Sequence, residues 1–296
     1  MNNAATLLVV LLLHVFSPNT ALNALAPTGG ITISRDIPYD GGDTTRRRLD
    51  IYAPLQTASP APVVVFFYGG GWTSGNKEMY RYLGADLAAH GVLTVIPDYR
   101  LFPDVRFPAF MEDAAQAVAW VRTNAARFGG APNRLFLMGH SAGAQIATLL
   151  AMDPHYLQSV HLTTQQLCGV IGLGGPYDFL PSMADLGPIF GARSHWPESQ
   201  PINFVSAQEP PILLLAGGMD HTIDPASTTR FADRLRAAGA AVQDRLYWGV
   251  SHKALIAAFS GALSFVAPVR EDALRFIDAH PACGAGAAWA GVATLP

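Results

Sequence analysis

Ser141 stands at the centre of Gly139-His140-Ser141-Ala142-Gly143, a G-x-S-x-G pattern. An apolar run, residues 134–138, precedes it, and a helix-forming run, residues 144–152, follows. A serine on a sharp turn between a strand and a helix presents its Oγ at the sheet edge. The flanking glycines are required because side chains there would collide with the neighbouring strand and helix. The helix N-terminus at this point favours developing negative charge. The chemistry implied is nucleophilic attack on a carbonyl. It needs a base, an acid that orients the base, and donors for an oxyanion.

Histidine is the usual base, and the chain has nine. If the order is serine, acid, histidine, only those well after Ser141 qualify. His252 closes the turn Gly249-Val250-Ser251-His252 after the last expected strand, and is the expected base. His140 should point away from the attack side. His221 reads as a solvated loop residue, and His280 as a favourable charge at a helix C-terminus. Asp220, at the end of the apolar stretch 211–220, is the expected acid. Asp224 and Asp178 are its rivals, although Asp178 also reads as a turn or helix cap. The N–H of Ala142 can serve the oxyanion, with Gly70 and Gly71 of Tyr68-Gly69-Gly70-Gly71-Trp72 supplying the others. This chemistry requires no metal and no cofactor.

These residues need elements that bring them to one edge. Residues 63–68, 92–96, 134–138, 168–173 and 211–215 are short apolar runs of the kind buried on both faces of a parallel sheet. Residues 31–34 and 47–52 alternate, as antiparallel edge strands do, with Gly41, Gly42 and Asp43 as the turn. Residues 241–248 form the last strand. Helices are expected over 77–90, 109–128, 145–152, 226–238, 255–259 and 264–279. The fold class is therefore α/β: about eight mostly parallel strands with helices on both faces and a small cap or none. Residues 153–166 and 179–209 break the alternation. The second, with Phe190 and Trp196, is expected to form the substrate wall with Trp72 and Tyr177.

Half the residues are apolar and 14% charged, enough for a large core in 296 residues. A net charge of -3 supplies no basic field, which argues against nucleic acid as a partner. The apolar run 4–16 is shorter than the ~20 residues that span a bilayer. It fits a signal-peptide core, although Met1-Asn2-Asn3 lacks a positive charge, and Pro27 follows the Ala24-Leu25-Ala26 cleavage pattern. Residues 1–21 are thus expected to be a signal peptide or an N-terminal membrane anchor, 22–281 the catalytic domain, and 282–296 an Ala/Gly-rich tail. The protein is expected to be exported or membrane-anchored, and cytoplasmic if the run is not a signal. Cys168 reads as a packed core thiol. Cys168 and Cys283 could pair in an exported protein, but their number alone does not require it.

With its Tyr-Gly-Gly-Gly-Trp and G-x-S-x-G motifs, the sequence resembles α/β-hydrolase carboxylesterases near the hormone-sensitive-lipase group. The lipases carry His where Tyr68 stands, and commonly Asp where His140 stands. The sequence is more similar to the subgroup of prenylcysteine methylesterases, feruloyl-esterase-like proteins and kynurenine formamidases. Leu49-Asp50-Ile51-Tyr52-Ala53-Pro54, Pro97-Asp98-Tyr99-Arg100-Leu101-Phe102-Pro103 and Phe107-Pro108 extend the likeness. The resemblance implies Ser141, Asp220 and His252 as a triad, and Gly70, Gly71 and Ala142 as oxyanion donors. It implies a small-molecule ester as substrate, with short to medium acyl chains expected. An arylformamide is the rival substrate, and a non-catalytic binding protein the rival class.

Overall fold

The computed structural model describes residues 18–41, 45–281 and 283. The apolar run 4–16, the turn residues Gly42 and Asp43, and most of the Ala/Gly-rich tail lie outside the described residues.

Among the described residues, eight strands form one sheet in the order β1-β2-β4-β3-β5-β6-β7-β8. They are β1 (Ile31–Pro38), β2 (Arg48–Pro54), β3 (Ala61–Phe67), β4 (Leu93–Pro97), β5 (Gly130–His140), β6 (Leu167–Leu173), β7 (Ile212–Gly217) and β8 (Val242–Tyr247). The first two pairings, β1 with β2 and β2 with β4, are antiparallel. All others are parallel. Burial follows sequence character. The apolar β6 and β7 are buried at every residue, while the edge strands β1 and β8, which mix polar with apolar residues, stay half-exposed.

The crossover helices Arg81–Ala89, Ala109–Asn124, Ala142–Met152 and Pro225–Ala237 lie between parallel strands in the chain. The helix after β3 returns the chain to β4 on one side, and the helix after β5 carries it to β6 on the other. Neighbouring strands β3 and β5 therefore send their connections in opposite directions. That opens a crevice beyond their C-terminal ends, where ligands of such sheets bind. Gly69 to Gly71 follow β3, and Ser141 follows β5.

Several element boundaries differ from the expected ones. The helix over 77–90 divides into a 3-10 turn, Lys77–Tyr80, and an α-helix, Arg81–Ala89. The one over 109–128 tightens into a 3-10 turn at Ala125–Phe128, and left-handed Gly129 ends it. The last helix begins at Val269 rather than 264. Residues 179–209 hold 3-10 turns and one short helix, Gly187–Phe190, as the prolines there dictate. Cys168 is not a free core thiol. It is bonded to Cys283, with Cα atoms 4.3 Å apart. The helix Pro18–Ala24 is part of the packed body: Leu22 is buried, and Asn23 bonds Glu78 O at 2.7 Å and Tyr82 N at 2.9 Å.

Candidate active site

Ser141 follows the last residue of β5 and caps the helix Ala142–Met152, with φ 57° and ψ −125°. A side chain held there is strained by about 1–3 kcal/mol, so the surroundings must enforce it. The glycines show how. A methyl on Gly139 would lie 2.0 Å from Gly143 O, and one on Gly143 would lie 2.0 Å from Phe67 O. Both flanks of the turn are backbone against backbone, and only glycine fits. The Ser141 N–H donates to Leu173 O at 2.9 Å, which ties the turn to β6.

His252 and Asp220 meet. Nδ1 of His252 is 2.6 Å from Oδ2 of Asp220. The other carboxylate oxygen of Asp220 accepts the N–H groups of Thr222 at 2.8 Å and Ile223 at 2.9 Å. Burial alone would raise the Asp220 pKa. The bonds from His252, Ile223 and Thr222 outweigh it and hold the group below the usual carboxylate range. His252 is not in a turn as expected. It opens the helix His252–Ala257, and the Ser251 side chain accepts the N–H of Ala254 as its cap. The pair sits beside the serine turn: a methyl on Gly174, next after Leu173, would lie 3.3 Å from both Asp220 Oδ2 and His252 Nδ1.

The rivals are engaged elsewhere. Asp178 accepts from Ser227 Oγ at 2.7 Å and pairs with Arg230. Asp224 caps the helix Pro225–Ala237. His221 is exposed, and His280 is bonded to Phe276 O. His140 departs from expectation. Its ring packs on that of His252, with centroids 4.6 Å apart.

The glycine loop lies against the serine. A methyl on Gly69 would be 2.9 Å from Ser141 Cβ. Gly70 and Gly71 both have positive φ, 137° and 61°. Gly70 O gathers the N–H groups of Thr73 at 3.2 Å and Ser74 at 3.1 Å, which closes a tight turn. Ala142, first in its helix, has an N–H with no partner inside that helix. Both ends of the loop are fastened to the end of β4. Tyr68 Oη donates to Asp98 Oδ1 at 2.8 Å, and the Lys77 N–H donates to the same oxygen at 2.9 Å. Tyr99 Oη donates to Tyr68 O at 2.7 Å. Sequence reasoning missed this strap. Its signal was there in Pro97-Asp98-Tyr99, polar residues closing a buried strand.

Trp72, Tyr177, Phe190 and Trp196 are 2%, 0%, 1% and 8% exposed, so protein covers nearly all their surface. Trp72 stacks on Phe179 at 5.3 Å and meets the edge of Phe190 at 4.9 Å. Tyr177 stacks on Phe231 at 4.6 Å. Gln145 joins the parts. Its Oε1 accepts from Trp72 Nε1 at 3.1 Å, and its Nε2 donates to Ser199 O at 2.9 Å.

Comparison with known proteins agrees with this architecture. The chain is 33% identical over 243 residues to an isoprenylcysteine alpha-carbonyl methylesterase of Arabidopsis thaliana, covering 74% of this chain and 56% of that one. It is 31% identical over 216 residues to esterase LipC of Mycobacterium tuberculosis, covering 66% and 54%. The chain thus spans about half the length of the curated relatives it matches. Among solved structures, esterase B of Lactobacillus rhamnosis superposes with a TM-score of 0.78 at 18% identity, covering 94% of this chain and 97% of that one. An esterase of Pyrobaculum calidifontis gives 0.69 at 22% identity, covering 86% and 90%. These share the α/β-hydrolase fold. The BD-FAE family profile matches residues 49–235, and the chain belongs to that family.

Proposed function

We propose that the protein is a serine carboxylester hydrolase acting on short- to medium-chain acyl esters. The observation that carries the proposal is the 2.6 Å pairing of His252 Nδ1 with Asp220 beside a left-handed Ser141 at a helix N-terminus. With Nδ1 committed to the carboxylate, Nε2 of His252 is the basic nitrogen. It takes the Ser141 proton as Oγ attacks the carbonyl carbon. The oxygen that becomes negative receives N–H groups of Ala142, Gly70 and Gly71. His252 then returns the proton to the leaving alcohol, and an acyl-Ser141 ester remains. Water, deprotonated by His252, releases the acid and restores the serine. The similarity to methylesterases and esterases supports an ester as substrate. The aromatic cluster of Trp72, Phe179 and Phe190 takes up space beside the oxyanion loop, which favours shorter acyl groups. The disulfide supports the exported reading, since such bonds persist in oxidising compartments. Cleavage after Ala26 would strip the contacts of Leu22 and Asn23, which favours a retained N-terminal segment.

The test is hydrolysis of p-nitrophenyl acetate and butyrate by wild type and Ser141→Ala. Loss of activity in the variant is expected, on the order of 10⁴-fold or more in kcat. Equal rates would overturn the mechanism. Faster turnover of an arylformamide than of either ester would move the substrate class to amides.

A further inference from the structure

His140 belongs to the serine motif but is no part of the proposed proton path. Its side chain is buried, and its Nε2 lies 3.2 Å from the backbone carbonyl oxygen of His252. A carbonyl only accepts, so Nε2 carries the proton and donates it. Nδ1 is then left as an acceptor. It is buried, and among the described residues no hydrogen-bond donor meets it. One neighbour of the ring is the imidazole of His252, 4.6 Å away and tilted by 39°. Another is Gly69, where a methyl would lie 3.1 Å from Nδ1. His140 therefore fills the space between the oxyanion loop and the base.

We infer that His140 is a positioning residue: by holding the His252 carbonyl and packing on the His252 ring, it fixes how that imidazole is presented to Ser141. The inference rests on the reading of His252 as the base. A purely space-filling role does not explain the choice of residue. An apolar side chain would fill the volume without burying an unpartnered nitrogen. What it could not do is donate to the carbonyl of residue 252. Asp220 from the β7 turn and His140 at the end of β5 both face His252. Burial, with the nearby His252, pushes the His140 pKa down to about 3. His140 thus adds no positive charge beside the imidazolium that forms on His252.

The experiment compares His140→Leu, His140→Gln and His140→Asn for kcat, KM and thermal stability, with Ser141→Ala alongside. Glutamine can place its amide N–H where the imidazole Nε2 stands, and asparagine falls short of it. His140→Leu should lose about tenfold or more in kcat with KM little changed and with its melting temperature kept or raised. His140→Gln should regain most of that loss, and His140→Asn should not. If His140→Leu fails to fold, the glutamine and asparagine variants alone decide the matter. Wild-type kcat in His140→Leu, or equal kcat in the two amide variants, overturns the inference. Those results combined with an inactive Ser141→Ala would leave the esterase mechanism standing. An active Ser141→Ala would remove both.

Discussion

Gly69→Ala tests whether the glycine loop, the proposed source of oxyanion donors, is placed by contact with the serine turn. The added methyl would lie 2.9 Å from Ser141 Cβ, 3.0 Å from His140 O and 3.1 Å from His140 Nδ1. Relaxed contacts between carbon atoms lie at about 3.5–4.0 Å, so loop and serine must separate by roughly 0.6–1 Å. Neither side yields easily. Ser141 is held by glycines that meet backbone on both flanks, and the loop is strapped through Tyr68 to Asp98. The separation opens the distance between Ser141 and the N–H groups of Gly70 and Gly71. A displacement near 1 Å in a reacting site costs about 10²-fold in rate. Overpacking should also cost about 1–3 kcal/mol of stability. Steady-state hydrolysis of p-nitrophenyl acetate, with a thermal melt, reads both quantities. Gly129→Ala is the control. Its φ is +83° and no atom of the described residues stands within 4 Å of the new methyl, so it should lose about 1 kcal/mol and keep its kcat. A kcat for Gly69→Ala within about threefold of wild type would refute the claim that this contact sets the loop.

The Asp98 carboxyl is pushed up to about 6 by burial, against the opposing bonds from Tyr68 Oη and the Lys77 N–H. A folded-state value above the ordinary 3.8 means the ionised form is worse off in the folded protein, so this group withdraws stability as pH rises from about 4 through 6. Both bonds end on Oδ1, an oxygen that asparagine also has. Asp98→Asn should therefore be more stable than wild type at pH 7 by roughly 1–3 kcal/mol, with the gap closing near pH 4 in urea melts. A wild-type advantage at pH 7 would contradict this. The Cys168–Cys283 bond closes a loop of 115 residues in sequence separation. Cys283→Ser should lower stability by about 2–4 kcal/mol, and reductant should then have no further effect on the melt. An unchanged melting temperature would mean that the bond does not form in solution.

The sheet was legible because its inner strands are continuous apolar runs closed by glycine or proline. Residues 63–68 and 211–215 announce burial on both faces with no tertiary information. The strand-to-helix turn at Ser141 was legible for a different reason. Only glycine fits where backbone meets backbone at 139 and 143, so the constraint is written into residue type. Asp220 and His252 were placed by strand order, and the structure brings them together. Side-chain direction was not legible in the same way. As the residue before the nucleophile, His140 is expected to point away from the attack side. The structure instead packs the His140 ring on that of His252, a contact set by where the chain returns after β8 and not by residue spacing. Nor could spacing show that Cys283 returns to Cys168, because the pairing depends on where the chain goes after the last helix.

Gln145 ties together aromatic residues that lie far apart in sequence. It sits one turn into the helix that Ser141 caps, and it is fully buried. A buried primary amide is costly unless its donors and acceptor are used. Here the acceptor is used by Trp72, which follows the glycine loop, and the donor by Ser199, in the stretch between β6 and β7. Trp72 in turn packs on Phe179 and Phe190 of that same stretch. Loop, helix and inserted stretch are thus closed into a ring of contacts through a single side chain. Parting these elements requires breaking two buried hydrogen bonds and separating Trp72 from the stacked ring of Phe179 and from Phe190, which it meets edge-on. On the proposed mechanism, such bracing would hold the Ala142, Gly70 and Gly71 N–H groups in place before substrate arrives, the condition under which backbone donors stabilise an oxyanion without reorganising.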